Sequence, residues 1–159
     1  YLNEVRADMP NCDLPRAQSS VDHLFIAILA TPDRAASVQW YERHLCLQAA
    51  DTFNLTYRMI NQAFDLPDSY RTDLTMVQNG RMTIFEVDGY PPQAKARPQH
   101  DAMLPPGNAL VSIGVANLDA LDIEWLAPPA THAGFPYNGR RAATLRGPSG
   151  ELLECIEYG

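Results

Sequence analysis

Apolar and polar positions change rhythm along this chain at points that mark separate elements. Residues 21–29, VDHLFIAIL, form a dense apolar run that is too short for a helix and predicts a buried strand headed by His23. In residues 31–47, TPDRAASVQWYERHLCL, the rhythm turns helical. Ala36 and Trp40, then Ser37, Tyr41 and Leu45, recur one helical turn apart and predict a helix with one face on a sheet. Thr31 suits the N-cap, Pro32 the first helical position and Asp33 the positive end of the helix dipole. Residues 48–57 read as a second strand, and residues 59–70, MINQAFDLPDSY, as a short helix or irregular excursion closed by Pro67.

The clearest local signal is TDLTMVQNGRMTIFEVDGY, residues 72–90. Two alternating runs flank Asn79-Gly80, the favoured pair for a type I′ hairpin turn. Residues 91–108, PPQAKARPQHDAMLPPGN, are proline-rich and polar and read as a linker. The pattern then partly repeats. ALVSIGVANLDAL (109–121) is a strand leading into a short helical start capped by Asn117 or Asp119. In DIEWLAPPATHAGFPYNG (122–139), Pro128, Pro129 and Pro136 truncate any second helix and leave a loop. RRAATLRGPSGELLECIEY (140–158) is a second hairpin turning at Gly147-Pro148-Ser149-Gly150.

Strand, helix, strands and hairpin thus occur twice, and neither half covers its own apolar face. The expected fold is α+β, with two βαβββ modules forming one curved mixed-sheet cleft. The modules are residues 20–90 and 109–159, joined by the 91–108 linker. Residues 1–6 read as a short strand and the segment to residue 19 as an N-terminal extension, or as the tail of an upstream domain.

Composition narrows the partners. A formal net charge of −7 argues against a nucleic-acid partner, which would require a basic face, and no apolar run reaches membrane-spanning length. The three cysteines, Cys12, Cys46 and Cys155, cannot all pair and form no C-x-x-C motif, which fits reduced thiols in the cytoplasm.

Three stretches carry a resemblance to a known family. VDHLFIAIL with DRAASVQWYERHLCL resembles the first strand and the Ser-x-x-aromatic-Tyr-x-x-x-Leu-Gly-Leu helix of the vicinal oxygen chelate superfamily, with Cys46 where glycine is usual. NGRMTIFEV resembles the hairpin that ends the first module. GPSGELLECIE resembles the closing Asp-Pro-x-Gly-Asn-x-x-Glu motif, with Gly147 for the aspartate and Glu151 for the asparagine. The superfamily includes glyoxalase I, methylmalonyl-CoA epimerase, extradiol dioxygenases and bleomycin-resistance proteins.

The resemblance implies metal ligands at His23, Glu86 and Glu154. The remaining family position falls on Leu110, with Ser112 the nearest polar alternative. One imidazole and two carboxylates suit Zn²⁺, Mn²⁺, Fe²⁺, Co²⁺ or Ni²⁺ and leave room for a chelating substrate. Such a metal would stabilise an enolate while Glu86 or Glu154 moved the proton, in an isomerase, epimerase or lyase. Tyr57, Phe64 and Tyr137 are candidate lining for a small-molecule substrate, and Arg140 a clamp for its carboxylate or phosphate.

Each residue also has a plainer role: His23 as a hydrogen-bonded strand rim, the glutamates as solvated side chains, the aromatics as core. Two further functions therefore stand beside the enzyme. One is a metal-free binding protein of the bleomycin-resistance type, and the other a structural module of a larger two-domain protein. The expected assembly is a homodimer, or packing against an upstream domain.

Overall fold

The computed structural model describes residues 4–22 and 24–159, and the chain divides into two compact units, Tyr1–Ala94 and Lys95–Gly159. The first contains β1 (Ala27–Thr31), α1 (Arg34–Leu45), β2 (Gln48–Leu55), α2 (Arg58–Ala63), β3 (Thr72–Asn79) and β4 (Met82–Gly89). The second contains β5 (Val111–Val115), a single 3₁₀ turn at Leu118–Ala120, β6 (Trp125–Thr131), β7 (Arg141–Arg146) and β8 (Leu152–Glu157). Each unit builds a four-stranded mixed sheet, in the orders β1-β4-β3-β2 and β5-β8-β7-β6. In both, the first strand runs parallel to the fourth and the other pairings are antiparallel. The α+β class and the repeated strand order are those the sequence pattern predicts.

In the first unit α1 packs on one sheet face through Ser37, Val38, Tyr41 and Leu45, and the Tyr41 ring lies 4.7 Å from that of Phe85. Burying each of the large apolar side chains contributes about 2 kcal/mol. The helix starts two residues later than its sequence suggests. Asp33 is the N-cap and accepts from the Ala36 amide at 3.0 Å, while Thr31 ends β1 and its hydroxyl meets that of Ser37 at 2.8 Å. An aspartate carboxylate satisfies the orphan amide better than a hydroxyl already engaged below it. Cys46 closes the helix in the left-handed region, at φ 54°, where the family pattern has glycine.

The strand expected over 21–29 begins only at Ala27. Val21 and Leu24 are 69% and 83% exposed, and the ladder with β4 begins only at the Ala27–Phe85 pair. Residues 4–6 form no strand. The segment after them instead clasps the β3–β4 hairpin. Asp13 and Arg81 exchange a backbone bond of 2.8 Å and an ion pair of 2.7 Å, and Gln78 reaches the Asn11 carbonyl at 3.2 Å. The hairpin loop itself is Gly80-Arg81, since Asn79 pairs with Met82. Of the loop residues only Gly80 has positive φ (59°), which is the type II′ pattern rather than type I′.

In the second unit the stretch expected as a truncated helix and loop supplies a strand, β6, despite Pro128 and Pro129. It lies at the sheet edge, and its register slips between Ala127 and Ala130, so the missing proline donors cost no ladder bond. The helical start is reduced to the 3₁₀ turn, capped by Asn117, whose side chain accepts from the Asp119 amide at 2.9 Å. Leu118 at 1% exposure plugs the sheet face that α1 covers in the first unit. The closing turn accounts for two departures from the family pattern together. A side chain at Gly147 would overlap the Glu151 carboxylate, which folds back to accept from the Ser149 amide at 2.9 Å.

Candidate functional site

Side chains alternate across a strand, so Phe85 and Val87 of β4 face α1 while Glu86 and Asp88 face the opposite side. Both carboxyls are nearly withdrawn from solvent, at 6% and 3% exposure. Tyr57, immediately before α2, donates its phenolic proton to Glu86 Oε1 at 3.1 Å. Asp88 sits two residues on from Glu86, and its Oδ1 is buried with no hydrogen-bond partner. Burial foremost, then the charge of Glu86 and a hydrogen bond to it, push the Asp88 carboxyl up to about 7. The neighbours level with these groups are apolar: Ile28 and Met76 beside Glu86, Ala30 and Leu74 beside Asp88.

The second unit repeats the arrangement at equivalent places. On β8, Leu153 and Cys155 belong to the face over the 3₁₀ turn, and Glu154, 7% exposed, points the other way. Tyr137, from the β6–β7 connection, donates to Glu154 Oε1 at 2.8 Å, and Ser112 of β5 donates to Oε2 at 2.6 Å. The Glu154 carboxylate raises the Tyr137 phenol above the ordinary tyrosine range, through that hydrogen bond first and its charge second. In each unit, then, the connection between second and third strands delivers a tyrosine to a buried glutamate on the fourth.

Of the predicted residues, Tyr57 meets Glu86, and Tyr137 and Ser112 meet Glu154. Ser112 is level with Glu154, just as Ile28 is level with Glu86, while Leu110 precedes β5 and is 42% exposed. His23 lies outside the described residues. Phe64 packs edge-on against Tyr90 with ring centroids 5.9 Å apart. The Arg140 guanidinium stacks 4.4 Å over the Tyr158 ring and reaches the Tyr137 carbonyl at 3.2 Å, while Arg141 grips both oxygens of Asp119 at 2.6 and 2.8 Å. Glu157 accepts from the Leu118 amide at 3.0 Å and lies 3.6 Å from Arg141.

Sequence reading passed over Asp88, although the period of two that singled out Glu86 places Asp88 on the same face. A cavity of about 200 Å³ in the second unit, lined by His100, Asp101 and Arg146 among others, contains none of the predicted site residues.

The resemblance implies a divalent metal, and one of its three implied ligands, His23, lies outside the described residues. Among the described residues no group of three His, Cys, Asp or Glu side chains is placed to hold a metal ion. Glu154 already accepts a proton on each oxygen, and Glu86 accepts one from Tyr57. Cys155, fully buried, has its thiol pushed up to about 12 by burial and by Glu154, which leaves it inert as a nucleophile or ligand at neutral pH.

Comparison with solved structures places this fold. A glyoxalase family protein from Bacillus cereus is similar at 16% identity and a TM-score of 0.60, with 90% of this chain and 98% of that one covered. A glyoxylase/bleomycin resistance protein/dioxygenase domain from Frankia sp. is 15% identical, with a TM-score of 0.56 and coverage of 90% and 100%. A glyoxalase I mutant from Zea mays is 16% identical, with a TM-score of 0.54 over 89% of this chain and 48% of that one. The chain therefore has the vicinal oxygen chelate fold, shared by the glyoxalase, bleomycin-resistance and dioxygenase proteins. No family model and no curated protein matches the sequence. No helix among the described residues is long and apolar enough to cross a membrane.

Proposed function

We propose that this protein is a small-molecule-binding member of the glyoxalase and bleomycin-resistance fold whose buried glutamates recognise an organic ligand by hydrogen bonding. The observation that carries this reading is the repeated tyrosine–glutamate pair, Tyr57 with Glu86 and Tyr137 with Glu154. A carboxylate already holding a phenolic proton presents one more acceptor position to a ligand donor at little cost. Buried acceptors of this kind discriminate strongly, because a ligand lacking the matching donor leaves them unpaired.

The enzymatic reading, a metal-dependent isomerase, epimerase or lyase, keeps support from the fold and from the acid–base capacity of Glu86 beside Asp88. Three unpaired cysteines support a reducing, cytoplasmic setting, and a homodimer remains the proposed assembly.

A small-molecule thermal-shift screen, with elemental analysis of protein purified without chelating resin, separates the two. Ligands that raise the melting temperature of metal-free protein, and lose the effect in Tyr57→Phe or Tyr137→Phe, support the binding reading. Stoichiometric bound metal, with no ligand stabilising the metal-free protein, overturns it.

A further inference from the structure

We propose that the cavity walled by residues 99–105 in the second unit binds a small zwitterion of the α-amino acid type with an apolar side chain. The site is independent of the tyrosine–glutamate pairs and shares no residue with them. Its volume is about 200 Å³, below the roughly 300–1,000 Å³ of pockets for drug-sized ligands, so its occupant is small.

The segment read as a linker builds one wall. Its ends are drawn together, since the Arg97 guanidinium lies close enough to Gly107 to exclude a side chain there. Between them the Met103 amide donates to the His100 carbonyl at 3.2 Å, and Ala102 takes the left-handed conformation at φ 59°. This turn brings Asp101 and Met103 to the same cavity as Arg146 and Leu152, which stand level with each other at the hairpin end of β7 and β8.

Three kinds of contact meet in the cavity. Arg146 donates through Nη1 to the Gly150 carbonyl at 2.9 Å and reaches the Gln99 side-chain oxygen at 3.5 Å. Those bonds steady the guanidinium, while its Nε and Nη2 have no partner among the described residues. That open edge is the fork that takes a carboxylate through two parallel hydrogen bonds. Asp101 lines the same cavity, and no ion pair joins it to Arg146 or to another cation among the described residues. An acceptor-only carboxylate suits an ammonium, which carries only donors. Leu152 and Met103 add apolar surface, and Met103, 69% exposed, gains by being covered. A single exposed ion pair contributes little. Engaging both charges and the apolar wall together is what separates an amino acid from an ordinary anion or amine.

NMR of protein labelled at the methionine methyls, titrated with L-leucine, tests this. Met103 is the only methionine of the second unit, and Met9, Met59, Met76 and Met82 serve as internal references. The expected result is a saturable shift of the Met103 methyl signal, with the other four unmoved. Affinity should weaken roughly fivefold or more for 4-methylpentanoate, which lacks the ammonium, and for isopentylamine, which lacks the carboxylate. Arg146→Gln should erase the preference for leucine over isopentylamine, and Asp101→Asn the preference over 4-methylpentanoate. Should Arg146→Gln disturb the hairpin turn, Asp101→Asn and the analogues on the wild-type protein carry the same test. No saturable shift of Met103, equal binding of leucine and either analogue, or leucine binding indifferent to both variants overturns the proposal. So does a shift spread equally over all five methionines, the mark of a non-specific effect.

Discussion

Tyr137 donates to Glu154 Oε1 across 2.8 Å, and the carboxylate holds the phenol's proton on more tightly than in an ordinary tyrosine. Because the hydrogen bond is the larger cause, removing the acceptor's charge and half its accepting capacity should reverse the effect. In an alkaline titration followed by NMR of ring-labelled tyrosine, the Tyr137 midpoint should lie above the ordinary tyrosine value and fall back in Glu154→Gln. A midpoint that Glu154→Gln leaves unmoved would show that the contact is not made in solution.

Asp88 gives stability a pH dependence of the opposite sign to that of a salt-bridged carboxylate. Its carboxyl is raised from 3.8 to about 7 in the folded protein, so between these values the native state binds more protons than the unfolded chain. Stability therefore falls as pH rises through that interval and levels off above it. The side chains level with Asp88 are Ala30 and Leu74, which do not titrate, and Glu86 is the ionisable neighbour on its own strand. Urea melts of wild type and Asp88→Asn at about pH 5 and pH 8 should show the wild type losing more stability than the variant. Parallel losses would remove Asp88 as the cause.

The three cysteines should react in the order of their burial. Cys46 is exposed at the helix end, Cys12 is half-buried with its sulfur 3.3 Å from the Thr83 hydroxyl, and Cys155 is fully buried with its thiol pushed up to about 12. Since the thiolate is the reacting species, iodoacetamide at neutral pH should label Cys46 first, Cys12 more slowly and Cys155 only after denaturation. Mass spectrometry of the native protein finding Cys155 alkylated before Cys12 would contradict the placement of β8 in the core.

Much of this arrangement is legible in the sequence, and the parts that are not share a cause. Period-two alternation around Phe85 and Leu153 places Glu86 and Glu154 on the faces away from the packed core, and the structure keeps both there. Local pattern fails where a neighbour decides. VDHLFI is apolar enough for a strand, yet the ladder with β4 begins only at Ala27. WLAPPAT looks unable to form a strand, yet an edge position with slipped register tolerates both prolines. The Ser112–Glu154 contact depends on the parallel register of β5 and β8, which spacing along the chain does not encode. Asp88 was visible by periodicity. Its missing partner was not, because an orphaned atom is a property of packing.

Leu118 should be the most sensitive apolar position outside the strands of the second unit, because it fills there the role that a twelve-residue helix fills in the first. The side chain is 1% exposed against β7 and β8, and its backbone is tied down from two sides. Glu157 accepts from its amide, and Arg141 holds Asp119 in the same turn by a two-pronged grip. Leu118→Ala should cost about 2–5 kcal/mol, the range for a buried leucine whose cavity cannot fully collapse. Glu157→Gln keeps an acceptor for the amide but loses the attraction to Arg141, and should cost under about 1 kcal/mol. Chemical denaturation of both variants checks the order. A Leu118→Ala loss no larger than that of Glu157→Gln would mean that the turn does not seal this face of the sheet.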